Sequence, residues 1–127
     1  MNWFQKLNNN IPSGIGIDIV KIDRFRKKPF LKNKSFYEKI FLKDEINYCL
    51  KFNDPYPHFA GKFAIKESTI KAIPTKIPLN EILIFYKDAK PMIKLNSLKL
   101  KNYSFLVSVS HENEYAIAIV YSSTFES

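Results

Sequence analysis

Between Gly14 and Val20 the chain alternates. Ile15, Ile17 and Ile19 are separated by Gly16 and Asp18, a period of two that predicts a β-strand with one apolar face. Ile22 to Lys28 reads as a short helix that stops before Pro29, and Ser35 to Ile40 and Asp44 to Leu50 as two more. Asn53 to Pro57 is a turn. From Pro57 to Ile73 the apolar period lengthens to that of a helix, with proline at its start and Pro74 to end it. Strands are predicted over Ile82 to Tyr86, Tyr103 to Ser110 and Tyr115 to Tyr121. Met92 to Leu95 is a further short strand after a turn at Lys87 to Pro91, and His111 to Glu114 joins the last two strands as a hairpin. Helices and antiparallel strands segregate along the chain, which predicts an α+β fold: a small antiparallel sheet packed on one long helix plus short helices. Residues 1–13 stand outside this pattern as a loose or partly helical extension. Residues 14–127 form a single domain without an internal repeat or linker.

Composition narrows the picture. The 127 residues fit one domain, and 46% hydrophobic with 15% aromatic residues suffice for a core. A unit this small still leaves much surface open, so a partner subunit would share the load. No apolar run approaches the roughly 20 residues that span a bilayer, and Met1 to Asn10 carries no secretory pattern. Cys49 is the only cysteine, which excludes an internal disulfide and a cysteine metal cluster and points to the reducing cytosol. The formal net charge of +8 predicts an anionic partner: nucleic acid, an acidic protein, a phosphorylated small molecule or a membrane surface.

Two sets of charges sit where a core is expected. On a helical wheel Phe59, Ala60, Phe63, Ala64 and Ile70 share one arc, the face expected to meet the sheet, and Glu67 and Lys71 fall inside it. Four residues apart, these two are neighbours on one ridge. Either they make an ordinary ion pair at the edge of the stripe, or they are held at a cleft. Asp18 shares a strand face with Gly14 and Gly16. It is either an edge aspartate facing water or a carboxylate beside a space left by two missing side chains. Asp18 and Glu67 together could hold Mg²⁺, a hard cation that takes oxygen ligands and completes its shell with water and phosphate. Ser108-Val109-Ser110-His111 ends an apolar strand, and His111 can donate to a phosphate oxygen. Adjacent residues do not readily form a nucleophile–base pair, so Ser110 and His111 do not make a hydrolase. With three glycines in the chain, a glycine-rich phosphate cradle is nearly excluded, and side chains must hold any phosphate.

Three segments, in order, resemble the holo-acyl-carrier-protein synthases of the 4′-phosphopantetheinyl transferase superfamily. Gly14-Ile-Gly-Ile-Asp-Ile-Val20 with Arg24 is similar to the family's opening strand and downstream arginine. Ala60-Gly-Lys-Phe-Ala-Ile-Lys-Glu-Ser-Thr-Ile-Lys71 resembles its signature helix. Val107-Ser-Val-Ser-His111 with Glu114-Tyr-Ala116 resembles its closing hairpin. Phe41-Leu-Lys-Asp-Glu45 is similar to a fourth, shorter element, with Leu42 in place of a capping hydroxyl, a loss of roughly 1 kcal/mol unless another group caps.

The resemblance implies transfer of 4′-phosphopantetheine from coenzyme A to a serine of an apo-acyl carrier protein, in fatty acid biosynthesis, releasing adenosine 3′,5′-bisphosphate. It implies Mg²⁺ on Asp18 and Glu67, and Lys71 at the active site. It implies coenzyme A contacts at Lys62, Lys71, Lys90, Pro91 and His111, and carrier docking at Arg24, Arg26, Lys27 and Lys28. It also implies a homotrimer with sites between subunits. Lys62 stands where the family usually has arginine, so charge is kept and bidentate geometry is lost. Asp88-Ala89-Lys90-Pro91 lacks the family's loop glycine and is a residue shorter. The competing readings are a basic module for RNA or single-stranded DNA, supported by charge and by seven tyrosines and eleven phenylalanines, and a catalytically silent interaction subunit. The absence of a nucleic-acid motif favours the enzyme, with no nucleic acid partner and no membrane span.

Overall fold

The computed structural model describes residues 11–97, 100 and 102–125; the expected extension therefore lies outside it up to residue 10. In chain order the elements are β1 (Ile11–Lys21), α1 (Asp23–Arg26), α2 (Lys34–Glu38), α3 (Lys43–Leu50), α4 (Tyr56–Ala72), β2 (Ile82–Lys87), β3 (Lys90–Leu95), β4 (Tyr103–His111) and β5 (Tyr115–Thr124). β1 starts earlier than the alternation suggested. Its first residues pair with the end of β5 across a register shift between Pro12 and Gly14, and a bulged stretch hides from a period-two reading.

The strands form two antiparallel sheets among the described residues: β1-β5-β4, and the separate hairpin β2-β3. In the larger sheet Asp18 pairs with Ala118 and Val109 with Ala118 from the other side. One face thus carries Gly14, Gly16, Asp18, Val20, Ala116, Ala118, Val120, Ser122, Val107 and Val109. α4 lies across it, and the two glycines set how close it lies. A Cβ on Gly14 would stand 2.7 Å from the Ala72 carbonyl oxygen, and one on Gly16 would collide with that of Ser68. The space beside Asp18 is therefore filled by the helix backbone. Hydroxyls then tie the layers together: Ser68 donates to the Ala118 carbonyl at 3.0 Å, and Ser122 donates to the Ala72 carbonyl, one of those a helix end leaves unpaired. Pro74 holds Ile73 extended and ends α4 there.

The helical wheel needs correcting. The sheet meets the ridge of Gly61, Ser68 and Ala72, not the arc of Phe59 and Phe63. That arc turns instead to an aromatic cluster with the short helices. Phe25 meets Phe63 at 5.5 Å between ring centroids, and Tyr37 meets Phe59 at 4.7 Å. α4 is buried on nearly all sides, so a wheel that assumes one apolar stripe chooses the wrong neighbour. Each such ring contributes on the order of 1.5–3 kcal/mol by leaving water. Glu67 and Lys71 continue the Phe63 ridge past the end of this cluster, where the surface opens.

α3 begins at Leu42 without a hydroxyl cap. Glu45 reaches back to accept from the Leu42 N–H at 2.8 Å and supplies the missing capping.

Candidate active site

β1 and α4 bring two of the first three predicted residues, Asp18 and Lys71, into contact. Lys71, one turn on from the Ser68 that covers Gly16, stands beside Asp18, two positions along the same strand face. Lys71 Nζ lies 3.2 Å from Asp18 Oδ1 and donates to the Ile17 carbonyl at 3.0 Å. The expected ion pair within the helix is not the one formed: Lys71 pairs with the strand. Glu67, one turn back on the same ridge, is half-buried. Among the described residues its carboxylate has neither an ion-pair nor a hydrogen-bond partner. Lys71 thus links Asp18 to an unspent carboxylate one turn back on its own ridge, and both are hard-oxygen donors of the kind Mg²⁺ takes. No group of three or more potential ligands occurs among the described residues, so any ion here must draw its remaining ligands from water or substrate.

A second cluster lies toward the start of α4. Lys62 is 2% exposed, and its ammonium lies beside the stacked rings of Tyr48 and Tyr86, 4.5 and 4.4 Å from their centroids, donating to the Tyr86 hydroxyl at 3.0 Å. Burial pushes the pKa of Lys62 down and those of both tyrosines up. Cation–π contact thus replaces the bidentate grip an arginine would offer. His111 is exposed at the end of β4 on the helix-facing side, and Ser110 points to the other face. Opposite faces rule out that pair as nucleophile and base. His58, which the sequence did not single out, lies beside His111 with ring centroids 5.6 Å apart. Lys90 and Pro91 open β3 and line a cleft of about 430 Å³ with Phe105 to Val109 of β4. Asp88 and Ala89 both have positive φ, 52° and 64°, which makes the shortened loop a tight two-residue hairpin turn.

The basic residues near α1 are not equivalent. Arg26 is committed to Asp54, with Nη1 at 3.0 and 2.8 Å from its two oxygens, and the Arg26 guanidinium holds that carboxyl below its ordinary range. Arg24 lies over the Phe63 ring at 4.8 Å and Lys28 over Phe36 at 4.2 Å, while Lys27 is free-standing and exposed.

Sequence reasoning also missed a buried ion pair. Lys66 is fully buried, 2.7 Å from Glu45, and donates to the carbonyls of Ile40, Leu79 and Ile82. Glu45 also accepts from the Ile84 N–H at 2.8 Å. The pair joins α3, α4 and β2, and nothing in a charged side chain's name distinguishes it from a surface one. Cys49 is buried, with its thiol pushed up to about 12 by burial, and offers no nucleophile.

Comparison with known proteins shows the family. The model of the 4′-phosphopantetheinyl transferase superfamily matches residues 14–120. The holo-acyl-carrier-protein synthase of Thermodesulfovibrio yellowstonii is 34% identical over 110 residues, 84% of this chain and 95% of that protein. That of Chlamydia felis is 38% identical over 112 residues, 83% and 92% of the two chains. Among solved structures, the Helicobacter pylori holo-acyl-carrier-protein synthase in complex with coenzyme A superposes with a TM-score of 0.72 at 36% identity, covering 84% of this chain and 96% of that one. The Bacillus anthracis enzyme in complex with coenzyme A (3′,5′-ADP) gives 0.76 at 28% identity, covering 89% and 97%.

Proposed function

The chain belongs to the 4′-phosphopantetheinyl transferase superfamily as a holo-acyl-carrier-protein synthase, and from that premise we propose how its residues move the 4′-phosphopantetheine arm of coenzyme A onto a serine of apo-acyl carrier protein. The observation that carries the reading is the Asp18–Lys71 contact beside the unpartnered Glu67. Asp18 and Glu67 would hold Mg²⁺. When bound, the ion supplies neutralising charge at the coenzyme A pyrophosphate. Glu67 takes the proton of the carrier serine hydroxyl, whose oxygen forms a bond to the phosphorus bearing pantetheine. The bond from that phosphorus to the bridging oxygen breaks, and adenosine 3′,5′-bisphosphate leaves with the electron pair. Lys71 sits within reach of both carboxylates' surroundings and steadies the leaving phosphate with its ammonium.

Lys62, Lys90, Pro91 and His111 bind coenzyme A, Lys62 from beneath its two tyrosines and the others from the clefts bordering β4. Arg24, Lys27 and Lys28 dock the acidic carrier, steered by the net charge of +8. Arg26 contributes by holding the loop at Asp54. The lone, buried Cys49 suits the reducing cytosol, and no helix among the described residues is long and apolar enough to cross a membrane. Of the aromatics behind a nucleic-acid reading, Phe25, Phe41, Phe59 and Phe63 are buried in the core, while Phe52, Phe85, Tyr86 and Phe125 are partly exposed.

The deciding experiment is mass spectrometry of apo-carrier after incubation with the protein, coenzyme A and Mg²⁺. A gain of one phosphopantetheine is expected, lost on chelation of the metal. An unchanged carrier mass overturns the assignment. In the same assay, reversing the charge of Arg24, Lys27 and Lys28 is expected to raise KM for carrier well above any change in KM for coenzyme A; equal changes argue against docking there.

A further inference from the structure

His58 stands on the first turn of α4, four residues before Lys62 and therefore on the same ridge. Its ring is stacked on Phe52 with centroids 3.6 Å apart and planes at 15°, which fixes its orientation. The His111 ring approaches from β4 at 5.6 Å and 71°. Among the described residues neither imidazole has a hydrogen-bond partner. The groups around the pair leave it uncompensated. Asp54, the nearest carboxylate to His58, is spent on Arg26. Lys62 is met only by neutral tyrosines, of which Tyr48 also edges His58 at 6.4 Å. Glu45, behind Lys62, is spent on Lys66. Glu112, beside His111 in the adjoining cleft, is the one carboxylate left near the pair among the described residues, and it is exposed. Two imidazoles with free nitrogens and a buried ammonium thus have one exposed carboxylate, Glu112, as the only uncommitted anion near them among the described residues.

We propose that His58 is a further coenzyme A-binding residue, which closes with His111 on the substrate's phosphate monoester; this rests on the transferase reading above. Coenzyme A carries two kinds of phosphate. The pyrophosphate belongs with Asp18, Glu67 and Lys71. His58 lies nine residues before Glu67, half a turn around α4 at about 100° per residue, so the two histidines face a different part of the substrate from the pyrophosphate residues. A monoester is a dianion near neutral pH, the charge that two imidazolium groups match best.

A pH dependence follows. Burial, then repulsion by His111 and Lys62, lowers the pKa of free His58 and so favours the neutral ring when the site is empty. A dianion favours the protonated ring, so binding takes up protons. Affinity for the monoester therefore rises as pH falls through the imidazole range.

The test compares coenzyme A with 3′-dephospho-coenzyme A as substrates, at pH 6 and pH 8, for the natural protein, His58→Phe and His58→Gln. Phe keeps the stacking on Phe52 and removes both nitrogens; Gln keeps one neutral donor. The natural protein is expected to prefer coenzyme A in KM, by about tenfold more at pH 6 than at pH 8. His58→Phe and His58→Gln are each expected to lose the share of that increment that His58 supplies and to keep the smaller pH dependence of His111, with Gln retaining the larger pH-independent preference. The same pH-dependent preference in both variants overturns the proposal. Absence of transfer by the natural protein from either substrate overturns the transferase reading instead.

Discussion

At the scale of single residues, two kinds of charge lie on α4, and the structure separates them by their partners. Lys66 has four partners, all of them protein groups, and is fully buried. Burial pushes its pKa down while Glu45 opposes the fall. Removing one member of such a pair leaves the other charged and dry. Lys66→Met is therefore expected to destabilise the fold by roughly 3–5 kcal/mol, read as a lowered midpoint in urea. Glu67 has no partner among the described residues, and Asp18 has one exposed lysine. Asp18→Ala and Glu67→Ala are expected to leave the urea midpoint within about 1 kcal/mol of the natural protein and to abolish pantetheine transfer. A large loss of stability in either alanine variant, or full activity, would reverse the division. Asp18, Glu67 and Lys71 were legible in the sequence because they interrupt an apolar pattern. Lys66, Glu45 and His58 were not. What sets them apart is which distant backbone groups surround them, and no local spacing records that.

At the scale of elements, the strands and helices were legible nearly to their ends, and the faces were not. The alternation of β1 gave its apolar side correctly, but the glycines on the other side read only as a space left by two missing side chains. The structure fills that space with α4, and Asp18 becomes available only because the helix ridge ends in Lys71 there. The β2-β3 turn shows the reverse case. The loop was read as lacking its glycine, and the structure shows the consequence: Ala89 carries φ 64°. An alanine Cβ in that region costs on the order of 1 kcal/mol, and a two-residue turn with both φ positive is best served by glycine at its second position. Ala89→Gly is expected to raise stability by about 0.5–1 kcal/mol despite the added freedom of the unfolded chain, measured by thermal or urea unfolding. A lower midpoint would mean that the turn relaxes in solution to negative φ. Lys90 and Pro91 follow this turn directly, so the same substitution also reports whether hairpin stiffness matters to KM for coenzyme A.

At the scale of the molecule, the second face of the larger sheet remains to be accounted for. Ile15, Ile17 and Ile19 of β1 are 56–64% exposed, and Ile117 and Ile119 of β5 and Leu106 of β4 stand beside them in register. Six large apolar side chains on one open sheet exceed what a monomer of this size ordinarily leaves wet. The clefts that hold the coenzyme A candidates border this face: one joins Leu106 to Lys90 and Pro91, the other joins Ile19 and Ile117 to His111. A neighbouring copy seated on the isoleucines would wall both clefts at once, which fits the proposed trimer with sites between subunits. Sedimentation equilibrium at micromolar protein is expected to give three times the 14.9 kDa chain mass. Ile17→Glu, which places a charge at the centre of the face, is expected to yield a folded monomer with far weaker coenzyme A binding. A natural protein that sediments as a monomer would leave the apolar face without an occupant and move the whole site onto one subunit. A monomeric Ile17→Glu variant that binds coenzyme A as tightly as the natural protein would keep the trimer and remove its part in the site.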